Sequence, residues 1–348
     1  MSWLRHPSPR IGLRRRHPGV RPTCRGSGST PVAAQTVPQT PWGRPDLQGI
    51  YDYWTFTPLE RPAEFADRDV LTAEEAAVAA QQRKAAALAR DVPPPPGSVA
   101  SVGAYSQAVW TDRTRATALT QPSLLVDPPD GKLPPLTPQA QHRAEAHRAA
   151  GWHPVRLRVG GVNADGPEAR GVSERCIVGF STGPPMLPGG NNNIVQLFQT
   201  PGYIVILHEM IHDARIIPLD GHAPLPTSIR QWLGTSRGHW EGNTLVVDTT
   251  NFTDKTGSFS TSFPDFVSLG SAERLHLRER LTRVDSETVM YEFTVEDPAT
   301  FARPLTGRFP LNRTDTPVYE FACHEGNRGM FNMLSGARAE ERATDSNP

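Results

Sequence analysis

The stretch His208-Glu209-Met210-Ile211-His212-Asp213-Ala214-Arg215 gathers bases, acids and a cation within eight residues. Its first five residues fit H-E-x-x-H. In that motif a helix stacks two imidazoles on one zinc ion, and the glutamate activates the metal-bound water. The chemistry requires a helix. Here Ile204-Val205-Ile206-Leu207 precedes and Ile216-Ile217-Pro218 follows, so the segment reads as a strand and zinc is the least favoured reading. A strand sends His208, Met210 and His212 to one face and Glu209, Ile211 and Asp213 to the other, with the two histidines about 13 Å apart. A bulge near Asp213 would turn Glu209, His212, Asp213 and Arg215 toward one cavity mouth. Glu209 and His212 would then serve as base and acid, Arg215 as anion stabiliser and Asp213 as orienter. The same groups would equally form a buried ion-pair network that pins the strand.

A second polar group closes the chain: Cys323-His324-Glu325-Gly326-Asn327. His324 and Glu325 make another acid–base pair, with Asn327 beside them, or else a turn that uses Gly326 and Asn327 for their backbone freedom. Asn191, Asn192 and Asn193 would line a pocket with amides or form a plain loop. Trp232 and Trp240 suit a pocket wall, a stacking surface or the core. His276 lies on a strand, facing either solvent or the site. No Gly-rich phosphate loop, Gly-x-Ser-x-Gly elbow or Cys-x-x-Cys pair occurs, which argues against nucleotide binding, α/β-hydrolase chemistry and a cysteine-based zinc knuckle. No cofactor and no resident metal are implied.

The elements that would hold these residues are mostly strands. Pro (35) and Gly (29) are abundant in the 348 residues, which favours strands and loops over long helices. Lys+Arg and Asp+Glu are equal at 36, so no global field gathers nucleic acid or an anionic membrane. No run of 18 apolar residues offers a transmembrane helix. Helices are expected at Ala73–Arg90, opened by a Thr72/Glu75 capping box and ended by Pro93–Pro96, and at Pro138–Ala150, opened by Thr137. Strands are expected at Ile194–Phe198, Tyr203–Leu207, Gly238–Trp240, Thr244–Thr250, Arg274–Arg283, Thr288–Val295, Pro304–Leu311 and Val318–Cys323. Closely spaced strands with short turns and no βαβ rhythm predict a mainly β fold, an antiparallel barrel or sandwich, with one or two helices from the N-terminal half.

Residues 1–41 lack apolar periodicity and read as a disordered or targeting tail. The remainder, 42–341, reads as one domain: an irregular and helical part (42–190) packed on a strand core (191–341), with a tail at 342–348. Arg14-Arg15-Arg16 and the cleavage-site-like Val32-Ala33-Ala34 hint at an export signal, but Gly19–Thr30 is polar where such a signal is apolar.

Glu209-Met210-Ile211-His212-Asp213-Ala214-Arg215-Ile216-Ile217-Pro218-Leu219-Asp220-Gly221, Ser228-Ile229-Arg230-Gln231-Trp232-Leu233-Gly234, Arg237-Gly238-His239-Trp240-Glu241-Gly242 and Cys323-His324-Glu325-Gly326-Asn327 together resemble a large family of exported, uncharacterised bacterial proteins. The resemblance spans about Trp42 to Glu341. It implies a periplasmic or secreted location, although the atypical start leaves the cytoplasm open, and a lipocalin-like strand pattern by fold analogy. It also implies a Cys176–Cys323 disulfide, since these are the cysteines outside the tail that holds Cys24. His208 lies outside the resembling run, so His208→Ala should be tolerated and His212→Ala should not. Two functions remain. One is an enzyme acting on a small organic molecule by metal-independent acid–base catalysis, as a lyase, isomerase or hydrolase. The other is a lipocalin-like binding protein for an apolar or aromatic ligand.

Overall fold

A computed structural model of the chain describes residues 37–90, 117–149, 165–260 and 268–345. The basic run, the cleavage-like site, Cys24 and Pro93–Pro96 lie outside the described residues. So does most of the expected tail. The described chain is nevertheless folded before Trp42: Thr40 is buried, its N–H donates to the Arg44 carbonyl at 2.8 Å, and Gln39 bridges to Pro45.

The fold is mainly β. The strands are β1 (Gly49–Asp52), β2 (Leu125–Asp127), β3 (Ile194–Gln199), β4 (Tyr203–His208), β5 (Ala214–Pro218), β6 (Thr235–Glu241), β7 (Thr244–Thr250), β8 (Phe259–Ser260), β9 (Ser268–Leu269), β10 (His276–Arg283), β11 (Thr288–Glu296) and β12 (Leu305–Arg313). Nine of them run side by side in the order β5-β4-β3-β1-β12-β11-β10-β7-β6, every neighbouring pair antiparallel. β2 adds to β12, while β8 and β9 form a separate two-stranded ribbon. The two ends of the path, β5 and β6, lie alongside each other without strand pairing. The result is a nearly closed antiparallel barrel, consistent with the lipocalin-like expectation.

Period-two alternation explains the closure. Leu277, Glu279, Leu281 and Arg283 of β10 are buried while the residues between them are not, and β11 buries Val289, Tyr291, Phe293 and Val295 in the same way. Phe309 stacks on Tyr291 with ring centroids 5.1 Å apart. A small barrel has an interior just wide enough for its own side chains, and this one is filled with them. The stretch 176–193, which forms no strand, is buried along most of its length and sends Met186 and Leu187 into the same core. The barrel interior is therefore occupied by a continuous cluster of its own apolar side chains.

The helices are α1 (Ala73–Arg90), α2 (Pro138–Ala149), the one-turn α3 (Cys323–Gly326) and α4 (Arg328–Asp345). The capping box of α1 is reciprocal: Thr72 N–H donates to Glu75 Oε2 at 2.8 Å, and Glu75 N–H to Thr72 Oγ1 at 3.1 Å. Thr137 Oγ1 caps α2 by accepting the Ala140 N–H at 3.2 Å. Two expectations fail at the C-terminus. The predicted strand Val318–Cys323 is irregular chain leading into α3, its Tyr319 N–H and Phe321 carbonyl taken up by the side chains of Glu209 and His212, and α4 was not foreseen. Cys176 and Cys323 form a disulfide, Cα atoms 5.7 Å apart, that ties α3 to the buried segment.

Candidate functional site

The apparent zinc motif is broken by its own backbone. β4 ends at His208, and Met210–His212 forms a single 3-10 turn in which Ile211 and His212 take positive φ of 61° and 47°. The strand expected to run through His212 therefore stops four residues early. The two imidazoles do not share a face. His208 is 0% exposed and points into the barrel, whereas His212 is exposed and places Nδ1 3.1 Å from the Phe321 carbonyl oxygen. Among the described residues, no three His, Cys, Asp or Glu side chains gather as a metal-binding group. Burial, with the Arg215 cation adding to it, pushes the His208 pKa down to about 3, so its ring is neutral. Neither ring nitrogen has a protein partner.

Arg215 follows on β5, opposite Ile206 of β4 and facing inward. Its Nη1 donates to Glu279 Oε1 at 2.8 Å, and its Nη2 to Glu279 Oε2. Nη2 also reaches the hydroxyls of Ser236 and Thr249, at 3.2 Å each, and those two hydroxyls are 2.9 Å apart. Tyr291 donates its hydroxyl to Glu279 Oε1 at 2.9 Å. Burial alone would lower the Arg215 pKa, but the Glu279 carboxylate in contact holds it above the usual value. The phenol of Tyr291 is raised well above 10.0, by burial first and by Glu279 second. Five side chains from β5, β6, β7, β10 and β11 thus bond to one another across the lumen, with Arg215 Nε left without a protein partner.

This network ends at the unpaired seam. At one end the seam is shut: a Cβ placed on Gly238 of β6 would stand 2.6 Å from Leu219 and 3.0 Å from Ile217. Only glycine allows so close an approach. At the other end β5 and β6 part around a cleft of about 650 Å³ whose wall includes Asp213, Arg215, Arg230, Trp232, Ser236 and Arg237. Gly234, at φ +68°, turns the chain from the Trp232 loop into β6; a Cβ there would strike the Thr250 carbonyl at 2.6 Å. Arg230 is held by the carbonyls of Phe252 and Glu273, at 2.9 and 2.8 Å. Burial raises the Asp213 carboxyl above the usual range, against the Ala214 N–H and the nearby Arg215 and His212.

Of the residues singled out in the sequence, Asp213, Arg215 and Trp232 meet at this cleft. The others do not. Glu209 is buried, and its carboxyl, raised by that burial, accepts from the backbone of Tyr319 and Ile194 and from the Asn192 side chain. It joins β3 to the C-terminal segment instead of facing substrate space. Asn193 closes its loop through Gly189, accepting at 2.6 Å and donating at 3.0 Å, and Asn191 is half-buried beside it. His324 and Glu325 are exposed on α3, with no acid–base partner from the His208–Arg215 run. Asn327 donates to the Glu174 carbonyl at 2.8 Å and accepts the Met330 N–H at 3.1 Å, anchoring α4. Trp240 packs on the core under the Arg44 guanidinium, 5.8 Å from its centroid. His276 lies on the outer face, its Nε2 2.7 Å from Asp248 and its Nδ1 3.4 Å from Glu296. His276 and Arg278 draw the Asp248 carboxyl below its usual range although burial pulls it upward.

Glu279, Ser236, Thr249, Tyr291, Arg230 and Arg237 are the site residues the sequence reading passed over. Glu279 had a signal, a lone acid in the inward register Leu277-x-Glu279-x-Leu281. The hydroxyls had none. No family model, curated protein or solved structure matches the chain.

Proposed function

We propose that this chain is a small-molecule binding protein whose site is the cleft at the β5–β6 seam, and not the barrel lumen. The observation that carries this reading is the division of the polar residues. Glu209, His212, His324 and Glu325 are spent on backbone contacts or exposed apart, while Arg215 and Glu279 satisfy each other. Acid–base catalysis needs donor and acceptor to converge on one open space. A cleft of about 650 Å³ with a ring, cations and apolar walls is of ligand size. One observation favours the enzyme reading: Asp213, with its raised pKa, lines the same cleft as Arg215. A lyase or isomerase with Asp213 as its base would use that pair.

The disulfide supports an oxidising compartment and, with the sequence motifs, membership of the exported family that the chain resembles. The test is to map fragment binding by NMR while assaying the same fragments for turnover. Shift changes at Trp232, Ser236 and Arg237 without product support binding. Turnover abolished by Asp213→Asn, with binding retained, would replace this reading by the enzymatic one.

A further inference from the structure

Resting on the seam cleft as the binding site, we infer that its ligand is a small anion, a carboxylate or its like, carried on a planar ring. Arg237 receives the anionic group and Trp232 the ring. The cleft wall holds three guanidiniums, on Arg215, Arg230 and Arg237, against one carboxylate, on Asp213. Their surroundings differ. Arg215 is neutralised by the bidentate Glu279 behind it. Arg230 is committed to two carbonyls, with Glu273 Oε1 3.6 Å from its Nη2. Arg237 donates from Nη1 to the Ser236 carbonyl at 2.9 Å and, among the described residues, makes no ion pair in direct contact; its nearest electrostatic effect is on exposed Asp220, whose carboxyl is held down first by the His222 N–H and last by Arg237. The Nε of Arg237, like that of Arg215, has no protein partner but is shielded from solvent, while its Nη2 makes no hydrogen bond among the described residues and is left for a ligand. A guanidinium nitrogen in that state suits an anionic oxygen such as a carboxylate's.

The remainder of the wall selects the body of the ligand. Trp232, half-buried, stands with Leu225 and Leu233 in the loop that forms one side of the cleft. An indole beside aliphatic groups favours a flat apolar body over a sugar or a flexible chain. The seam cannot be occupied by an inserted peptide strand along its whole length, because Gly238 already packs against Ile217 and Leu219 at the far end. What fits is a compact molecule lodged in the open end of the wedge, with its charge toward β6.

The experiment uses a matched pair of probes, naphthalene-2-carboxylate and naphthalene-2-carboxamide. They share a shape and differ in charge. Both are titrated by NMR into the full chain at neutral pH and moderate salt. The carboxylate is expected to bind at least about tenfold more tightly, with shift changes at the seam. Arg237→Gln should bring the carboxylate down to the level of the amide and leave the amide unchanged, which also verifies that the variant is folded. Arg237→Lys keeps the charge and should retain much of the preference. Trp232→Ala should weaken both probes alike. Equal binding of the two probes at the seam, unaffected by Arg237→Gln, overturns the anion inference and leaves the binding site standing. Binding of neither probe, or shift changes confined to residues away from β5 and β6, overturns both.

Discussion

His208 and His212 are four residues apart, yet one faces the packed lumen and the other the solvent beside α3. Near His208 lies Arg215, bonded in turn to Glu279, which also accepts from Tyr291, all of them buried. Among the described residues the His212 side chain meets only the Phe321 carbonyl, and His324 and Glu325 farther along the same C-terminal segment are exposed. The composition of the two regions is similar. Their consequences differ because a buried polar group must be satisfied by protein, whereas an exposed one is satisfied by water. Substitutions inside should be costly and substitutions outside cheap, regardless of how reactive the residue types look.

The largest effect should come from Glu279→Gln, which leaves the Arg215 guanidinium buried against a neutral amide. Removing one partner of a buried pair costs about 3–5 kcal/mol. Chemical unfolding should register that loss. The double variant Arg215→Met with Glu279→Leu should recover much of it, since neither charge of the pair is then left uncompensated. A loss under about 1 kcal/mol for Glu279→Gln alone would mean that water reaches the pair and that the lumen is open.

The outer region has one strong constraint, the Cys176–Cys323 disulfide, which spans a sequence separation of 147. Cys323→Ser should cost roughly 2–4 kcal/mol. Hydrogen exchange should show where: faster exchange in α3 and α4, with the strands protected as before. Exchange that quickens equally in β10 and β11 would show that the clamp holds the barrel itself together.

Much of this contrast could be read from the sequence, and the unread part has a common cause. The capping box at Thr72, the N-cap at Thr137 and the antiparallel strands joined by short turns, such as β6–β7 and β10–β11, depend on neighbours within a few residues, and they were legible. Which way His208 points is set by the pairing of β4 with β5 and by where the strand stops, at a turn with positive φ at Ile211. Nothing local announces either. The short strands β1 and β2 were missed because four and three residues are too few to display a period. α4 was overlooked because half of its residues are polar or charged and two more are glycines, and of the helix only Ala337 is buried. Glu209 looked catalytic by type, but the three donors that occupy it come from distant parts of the chain.

His208 gives the contrast a pH dependence. Its folded pKa, about 3, lies well below the ordinary imidazole value of 6.5, because the ring is buried and Arg215 is near. A group depressed on folding contributes stability that is present above its unfolded pKa and lost as pH falls toward the folded one. Between pH 6.5 and 3 the loss approaches about 1.4 kcal/mol per unit, or roughly 2 kcal/mol by pH 5. His208→Gln removes the titrating ring, so its stability should vary less with pH over that window than that of the parent chain. Parallel pH profiles for the two proteins would place solvent around His208.

The smallest effect should be that of His212→Ala. This reverses the expectation from sequence, in which His212 was the indispensable histidine and His208 the dispensable one. His212 is exposed, and its one side-chain contact, to the Phe321 carbonyl at 3.1 Å, is open to competition from water. Surface hydrogen bonds of this kind leave stability within about 0.5 kcal/mol when lost. The backbone is the larger consideration. At φ 47° a side chain with a Cβ is strained, and alanine is strained as histidine is. Glycine is not, so His212→Gly should be at least as stable as His212→Ala, with relief of the left-handed conformation offsetting the flexibility glycine adds to the unfolded chain. His208→Ala, measured beside them, removes a fully buried ring and should cost several times more. If His212→Ala instead destabilises as much as His208→Ala, the turn at Met210–His212 is a structural keystone, and the division between the two regions fails at the residue where it was drawn.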